Sequence, residues 1–313
     1  MHVLNDMTSD YEFGGHYTMN FDEFCSKDED ERNLLFAWGI HAGFRRELPQ
    51  GYKKYIYLEG EEPIGFQGGT LPHERNEPVP WDLSKWDMIV HPHSPSVTKY
   101  LNDVYETDKF VPILNPVHTK WHNPNAEKKH TVAYCGGTHD HLLRKFVEVI
   151  RKFPDSVHIS HQEWHHGTGT HLSVTDAERM QIMNETKISV VKNNHFGNYA
   201  NPVKNLPNWD KYKWTSNIED NWVPQLKGRV SDSCISKCLM LVHRDPWNEI
   251  EYFFKPDEHF IYFDNEVDLE NKINDCLNNW DWVQTIAENA YREYVKNWSS
   301  TAFYYRFLKE HDA

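Results

Sequence analysis

The amino-acid sequence predicts an α/β protein with two domains, each built on a parallel β-sheet flanked by helices. Short segments rich in Ile, Val, Tyr and Phe recur along the chain between turn residues, which is typical of strands. Amphipathic segments with helical spacing stand between them, and this alternation favours parallel sheets. The alternation stops over residues 115–130, where two Asn-Pro pairs lie among scattered charges, and then restarts. Such a composition suits a linker between domains.

The first domain is expected over residues 1–120. The strands predicted there are HVL near the start, LLFAWGI (34–40), KYIYLEG (54–60), DMIVHP (87–92) and FVPIL (110–114). The segment SVTKYLNDVY, between the last two strands, has the pattern of a short helix. Together they form a strand–helix–strand unit, which favours a parallel pair of strands.

The second domain is expected over residues 130–280. Its predicted strands are TVAY (131–134), VHIS (157–160), KISVVK (187–192), LMLVH (239–243) and FIYF (260–263). Its predicted helices are an amphipathic one from Leu142 to Phe153, one with Thr175 as N-cap, and others over 229–238, near 247–253 and over 267–277. Helices within 281–313 are expected to pack back across the domain join. Rossmann-like sheets bind ligands beyond the carboxyl ends of their strands, so we expect the site in a cleft between two facing domains.

The net charge of the chain indicates which partners it can bind, and its cysteines indicate the redox compartment in which it is found. The formal net charge of the 313 residues is −14, whereas tight binding to a nucleic-acid backbone needs a basic face. Nucleic acid is therefore not expected as a partner, although a local basic groove would reverse that expectation. The five cysteines form no CxxC, which predicts reduced thiols in a cytoplasmic protein. No signal-peptide pattern and no apolar run of about 18 residues occurs, so no membrane span is expected.

The first functional motif is the sequence YCGGTHDHLLRKF. Gly136, Gly137 and Thr138 follow a predicted strand and precede a helix. Glycines let the backbone approach a ligand closely, and the helix N-terminus offers N–H groups to a phosphate. Arg144 could reach back to the same anion. The alternative is that a strand-to-helix turn needs glycine for steric reasons alone.

The second motif is QLKGRVSDSC, which places Lys227, Arg229 and Asp232 at the start of a predicted helix. Arg229 and Asp232 are three apart and share one helix face. A cation beside helix N–H groups suits a diphosphate, and a carboxylate can accept both hydroxyls of a ribose. The alternative is that Asp232 only caps the helix or interacts favourably with its dipole, while Arg229 is a surface residue. Both motifs fall at the same edge of one predicted sheet, which favours a shared binding site.

These motifs resemble the nucleotide-sugar domain of GT-B glycosyltransferases, in particular the group-one-like (CgeB-like) branch and the phage DNA β-glucosyltransferases. The resemblance extends over about residues 131–277, roughly half of the chain. Residues 136–138 with Arg144 look like the family's glycine loop and its arginines, and residues 229–232 look like its Arg-x-x-Glu. The segment FFKPDEHFIYFDNEVDLENKI is similar to the family pattern in the same place. The resemblance implies a GT-B fold, two Rossmann-like domains facing across a cleft, and a glycosyltransferase that takes a nucleotide-sugar donor.

The sequence departs from the family pattern at two positions. The glutamate that the family places against the ribose is Asp232 here, which is chemically conservative but shorter. A phosphate-binding arginine of the phage pattern falls on Asp140, which cannot hold a phosphate. His139, His141, Lys187 or Lys192 would then supply the charge, or fewer cations hold the pyrophosphate. The predicted donor-binding residues are Gly136, Gly137, Thr138, Arg144, Lys192, Lys227, Arg229, Ser231 and Asp232.

The resemblance implies that a general base in the amino-terminal domain takes the acceptor proton. His16 follows two glycines in FGGHY, and an imidazole titrates near neutral pH. Glu62 lies in LEGEEP at the end of a predicted strand, where carboxylates are expected to face the cleft. We take His16 and Glu62 as the catalytic candidates, with Glu59, Glu61 and His41 as rivals.

No metal and no cofactor is predicted. The histidine-rich segment HISHQEWHHGTGTH (158–171) contains no HExxH, and no DxD stands at the end of a predicted strand. We expect helix dipoles with Arg229, Arg144 and Lys227 to neutralise the leaving diphosphate. The aromatic-rich segment 193–226 either stacks on a sugar or nucleobase or is a loop that packs on its own rings.

The predicted function is metal-independent transfer of a sugar from a nucleotide-diphosphate sugar to an unknown acceptor, which is a glycan, a protein or a small molecule. Two alternatives stay open. One is a phage-type glycosyltransferase that acts on modified DNA bases, which the net charge disfavours. The other is a nucleotide-sugar-binding protein without turnover, which Asp140 supports.

Overall fold

The structure, a computed structural model, describes residues 3–5, 18–19, 34–38, 55–58, 87–91, 94–114, 121–137, 141–159, 174–196 and 222–299, together with positions 302 and 306. The chain divides into two compact units. The first comprises Met1–Val117, Gly197–Leu226 and Ser300–Ala313, and the second comprises His118–Phe196 and Lys227–Ser299. The domain bounds expected from the sequence, and the packing of 281–313 across the join, remain predictions.

The first unit contains a six-stranded parallel sheet in the order β2-β1-β3-β4-β5-β6. Its strands are β1 (Val3–Asn5), β2 (Thr18–Met19), β3 (Leu34–Trp38), β4 (Tyr55–Leu58), β5 (Met88–His91) and β6 (Phe110–Pro112). Helix α1 (Pro95–Tyr105) connects β5 to β6 and begins after Ser94, whose hydroxyl accepts a hydrogen bond from the Val97 amide at 3.0 Å. The five strands and the helix predicted here are confirmed, whereas β2 was missed because two residues are too few to show a pattern.

The second unit contains a five-stranded parallel sheet in the order β13-β12-β9-β7-β8. The strands that follow β6 in the chain are β7 (His130–Cys135), β8 (Val157–Ile159), β9 (Thr186–Lys192), β10 (Asn194–Phe196), β11 (Trp222–Pro224), β12 (Leu239–His243) and β13 (Ile261–Phe263). The helices are α2 (His141–Ile150), α3 (Asp176–Asn184), α4 (Gly228–Ile235), α5 (Glu266–Asn278) and α6 (Trp280–Glu293), with a 3-10 turn at Glu249–Tyr252 and a π-helical turn at Tyr294–Trp298. All five strands predicted for this half are confirmed. No helix in the described ranges is long and apolar enough to cross a membrane.

Helices cover both faces of the second sheet. Helices α2, α5 and α6 pack on one face, where Tyr134, Phe146 and Phe263 belong to one buried cluster. On the other face, Met183 of α3 packs with Cys135 of β7. Strands covered on both sides are expected to be continuously apolar, and all five residues of β12 are buried.

Helix α3 begins with a capping box at Thr175. The Thr175 hydroxyl accepts a hydrogen bond from the Glu178 amide, and the Glu178 carboxylate accepts one from the Thr175 amide at 2.7 Å. Each side chain therefore satisfies a backbone donor that the first turn leaves open. The N-cap predicted from the sequence is confirmed.

Helix α4 ends at Ile235, three residues before the predicted end. Lys237 takes a left-handed conformation with φ 50°, and the Cys238 amide donates back to the Ser233 carbonyl at 2.9 Å. This is the usual geometry of a helix C-terminus, although glycine is the residue that most often takes it. The turn lets the chain enter β12 directly after the helix.

Candidate functional site

The candidate site begins at the carboxyl end of β7, where Gly136 starts the turn. Its φ is 146°, a conformation that residues with a Cβ rarely adopt. The Gly136 amide donates to the Ile159 carbonyl at 2.8 Å, and its own carbonyl lies 3.2 Å from Nε2 of His158. Residues of β8 therefore hold both backbone groups of the glycine, which fixes the position of the turn.

Arg229, in the first turn of α4, is held beside this glycine by Tyr134. Its Nη1 donates to the Tyr134 hydroxyl at 3.1 Å, and its guanidinium carbon lies 4.8 Å from the centroid of the Tyr134 ring. The Tyr134 hydroxyl also donates to the Gly137 carbonyl at 3.0 Å. Arg229 is half-buried and positioned by these contacts, so the alternative in which it is only a surface residue is wrong.

Asp232, one turn further along α4, forms an ion pair with Arg179 of α3. The Asp232 side chain is 6% exposed and that of Arg179 is 19% exposed, so water hardly screens the pair. The N-cap of α4 is Lys227, and the alternative in which Asp232 only caps the helix is therefore wrong. A carboxylate has about four lone-pair sites, so this ion pair is compatible with the predicted contact to a ribose.

Arg179 was missed by sequence reasoning. It stands in a polar stretch of α3 and outside both motifs, and only the packing of α3 beside α4 brings it to Asp232. Arg179 and Arg229 also act on the thiol of Cys135, the residue before Gly136. Burial raises the pKa of this thiol to about 12, Asp232 raises it as well, and the two arginines lower it. Two guanidinium groups and one carboxylate therefore stand at the end of β7, and Arg229 is of the residue type that binds phosphate groups through paired hydrogen bonds.

The chain that leads into α4 is tied to β9. The Lys227 amide donates to Oδ1 of Asn193 at 3.3 Å. Asn193 is fully buried, and its Nδ2 has no hydrogen-bond partner among the described residues. The Ser233 hydroxyl oxygen lies 2.8 Å from that of Ser189 in β9, which anchors the next turn. Helix α4 thus begins at the carboxyl edge of the sheet, where its dipole favours an anion.

The remaining predicted residues lie in different surroundings. Arg144 is exposed on α2, Lys192 is buried at the end of β9, and Ser231 is buried beside Tyr294. Outside the described residues lie His16, His41, Glu59, Glu61, Glu62, Thr138, His139, Asp140 and the segments 160–173 and 197–221. Within the described part of the chain, no three His, Cys, Asp or Glu side chains lie close enough together to hold a metal ion. The predicted independence from metal remains a prediction.

A further group of charged side chains follows β12 and β13. Arg244 pairs with Asp264 at 3.0 Å, and its guanidinium carbon lies 4.0 Å from the centroid of the Tyr262 ring. Beside it, Asp245 is buried and accepts a hydrogen bond from the Trp247 amide at 2.9 Å. Burial raises the pKa of Asp245 to about 6 in spite of this bond. The carboxyl edge of the sheet therefore also contains an acid that titrates near neutral pH.

Solved structures with this architecture are known. Sucrose-phosphate synthase from Thermosynechococcus elongatus is 10% identical, with a TM-score of 0.51, and the match covers 96% of this chain and 82% of that one. Anabaena Alr3699/HepE in complex with UDP and glucose is 9% identical, with a TM-score of 0.51, over 83% and 72% of the two chains. S. aureus TarM is 10% identical, with a TM-score of 0.48 over 84% of this chain, which spans about half the length of TarM (52%). The first two likenesses show the fold that the sequence predicted, GT-B with Rossmann-like domains.

Sequence comparison identifies the family. No curated protein matches the chain. A family model described as "Glycosyl transferase-like" matches residues 139–308, more than half of the chain. The matched residues include Arg179, Arg229 and Asp232, three of the charged groups at the end of β7. The chain therefore belongs to the glycosyl transferase-like family and has the GT-B fold.

Proposed function

We propose that the chain transfers a sugar from a nucleoside-diphosphate sugar to an acceptor, and that the second unit binds the donor. The observation that carries the proposal is the contact of Arg229 with Tyr134 beside Gly136, at the N-terminus of α4. A guanidinium can grip a diphosphate through two parallel hydrogen bonds. A glycine turn and a helix N-terminus add backbone N–H groups and a favourable dipole.

The chemistry of the leaving group explains the need for cations. Transfer breaks the bond between the anomeric carbon and a diphosphate oxygen, and the electron pair stays on that oxygen. Arg229 and the dipole of α4 stabilise the charge that develops there. Asp140 adds no positive charge at the position of the family's arginine, and the charge of Arg179 is offset by its ion pair with Asp232, so the diphosphate is assigned to Arg229 and the dipole of α4.

The donor nucleoside is proposed to contact Asp232. Its carboxylate accepts hydrogen bonds from the ribose hydroxyls, and the ion pair with Arg179 orients it for that role. HepE, which shares the fold, is in complex with UDP and glucose. Uridine diphosphate is therefore the first nucleotide to test.

The general base and the class of acceptor are proposed from the sequence alone. His16 or Glu62 takes the proton of the attacking hydroxyl, and the arginines do the work that a divalent ion does in other transferases. The acceptor class is a glycan, a protein or a small molecule. Retention of activity in excess EDTA would support metal-independent transfer, and loss of activity that Mg²⁺ or Mn²⁺ restores would refute it.

The proposal is tested by donor binding and turnover. Calorimetry with UDP should give an affinity that falls about tenfold or more in Arg229→Ala and in Asp232→Ala, since each loses a charge-assisted hydrogen bond. Arg292→Ala is the matched control, because Arg292 is exposed on α6 and pairs with Glu288. Release of the nucleoside diphosphate is then measured over a panel of uridine, guanosine and cytidine diphosphate sugars.

Three outcomes are distinguishable. Weaker UDP binding in both site variants, together with release of diphosphate, supports the transferase. Binding without release from any donor supports the non-catalytic alternative. Unchanged donor affinity in Arg229→Ala and Asp232→Ala overturns the assignment of the site.

A further inference from the structure

A pocket lies at the opposite edge of the same sheet from the candidate donor site. Lys128 precedes β7, Lys187 is the second residue of β9 and Lys237 precedes β12, so all three belong to the amino ends of parallel strands. A cavity of about 250 Å³ opens there, lined among others by Asn125, Lys128, Lys237, Trp280, Gln284 and Glu288. The donor site lies at the carboxyl ends of the strands, and the two sites are therefore separated by the length of the sheet.

Lys128 is the first reason to expect a ligand in this pocket. Its ammonium donates to the Asn184 carbonyl at 2.9 Å and to the Ser236 carbonyl at 2.7 Å, at the ends of α3 and α4. Both acceptors are neutral, and within the described ranges Lys128 pairs with no carboxylate. An ammonium has three N–H donors, so one remains for a ligand in the cavity.

The charge of the lining favours an anion. Lys237 pairs with Glu288 at 2.9 Å, which leaves the charge of Lys128 uncompensated among these three groups. Burial lowers the pKa of the Lys128 ammonium, the nearby Cys238 raises it, and Lys237 lowers it. The lining thus contains two ammonium groups and one carboxylate, and Glu288 pairs with Lys237 rather than with Lys128.

The rest of the lining fits a small polar ring. The Trp280 ring packs partly against the core, and the Lys187 ammonium lies 5.4 Å from its centroid. An indole face provides apolar contact for a sugar ring, and Asn125 and Gln284 provide amide donors and acceptors for hydroxyl groups. The volume is below the roughly 300–1,000 Å³ typical of drug-sized ligands, so the occupant is compact.

We propose that this pocket binds a compact anionic sugar, that is, a monosaccharide with one phosphate or carboxylate group. The anionic group contacts Lys128 and Lys237, and the ring lies against Trp280. This site is separate from the proposed donor site and does not depend on the identity of the donor.

The test compares ligands that differ by one charge. Glucuronate and mannose 6-phosphate are titrated into the full chain by ligand-observed NMR, with glucose as the uncharged analogue and inorganic phosphate as the anion alone. We expect each charged sugar to bind about tenfold more tightly than glucose, because a charge-assisted hydrogen bond is added. Saturating UDP should leave this binding unchanged.

Variants of the lining residues then test whether glucuronate binds in this pocket. Lys237→Gln and Trp280→Leu should each weaken the binding of glucuronate about fivefold or more, since they remove a charge and a ring face. Lys152→Gln is the matched control, because Lys152 pairs with Glu270 on the surface away from the cavity. Lys128→Met is less suitable as a sole variant. It also removes the hydrogen bonds to the Asn184 and Ser236 carbonyls at the ends of α3 and α4, so it can change the fold as well as the binding.

Four results would overturn the proposal. They are equal affinity for glucuronate and glucose, competition by UDP, equal loss in Lys237→Gln and Lys152→Gln, or no binding of either charged sugar at millimolar concentration. Binding of inorganic phosphate as tight as that of mannose 6-phosphate would refute the sugar part of the proposal.

Discussion

Gly136 and Arg229 are in such close contact that a Cβ at position 136 would overlap the guanidinium group. The φ of 146° at this glycine also disfavours any other residue. The backbone conformation therefore requires a glycine after β7, and any side chain at this position would also displace the Arg229 guanidinium. This relationship connects the two sequence motifs in one site.

We predict that Gly136→Ala lowers both stability and donor affinity. The strained backbone is expected to cost about 2 kcal/mol of unfolding free energy. The displaced guanidinium should lower the affinity for UDP about tenfold, through the loss of its contact with Tyr134 and the phosphate. Chemical denaturation and calorimetry measure the two effects.

The matched control for this variant is Gly228→Ala. Gly228 begins α4, and its φ is not positive. Alanine is favoured over glycine within helices by about 1 kcal/mol, so this variant should keep or gain stability. Equal losses in the two variants would contradict the role assigned to Gly136.

The ion pair of Arg179 with Asp232 predicts strong coupling between two variants. Removal of one partner leaves a largely buried charge without its counterion, which is expected to cost about 3 kcal/mol in Arg179→Ala or in Asp232→Ala. The double variant should cost clearly less than the sum of the two, because neither charge is then left alone. A double-mutant cycle from urea denaturation gives the coupling, and additive losses would show that the pair does not form.

Cys135 is expected to be unreactive in the folded chain. Burial raises the pKa of this thiol to about 12, so the thiol stays protonated at pH 8, and the thiolate is the reactive form. We expect iodoacetamide to label Cys135 in urea but not under native conditions, as measured by peptide mass spectrometry. Cys135→Ala should keep UDP affinity. Fast native labelling would contradict the buried position of this thiol beside the arginines.

The raised pKa of Asp245 predicts that Asp245→Asn increases the unfolding free energy in a pH-dependent way. Its pKa is about 6 in the folded chain against 3.8 for the unperturbed group, so the folded state binds the proton more tightly. The unfolding free energy therefore falls as pH rises from about 4 to about 6, and the penalty is fully present above that range. Asp245→Asn removes the charge and keeps an oxygen that can accept the bond from the Trp247 amide.

We expect Asp245→Asn to be more stable than the unmodified chain by about 1 kcal/mol at pH 8 and to show no advantage at pH 4. Denaturation curves at both pH values measure the difference. Asp264→Asn is the control, because the Asp264 side chain is 63% exposed. A constant difference across the pH range would show that the charge of Asp245 is not the cause.

Much of the fold could be predicted from local patterns. Strands such as LMLVH have a continuous apolar run because both faces are covered, and Thr175 with Glu178 forms a capping box that is visible in four residues. The end of α4 could not be predicted in this way. Lys237 takes a left-handed conformation for which lysine has no preference, because the chain must turn directly into β12.

In the candidate site, too, some features follow from local sequence patterns and others only from tertiary packing. The sequence by itself determined that glycines follow β7, that Arg229 and Asp232 stand three apart at a helix start, and that both lie at one edge of a sheet. Only the tertiary structure decided that Tyr134 holds Arg229 and that Arg179 pairs with Asp232. The physical reason is distance along the chain: Arg229 is 95 residues from Tyr134, and Asp232 is 53 residues from Arg179. Contacts of that range depend on how helices pack on the sheet, which no local spacing encodes.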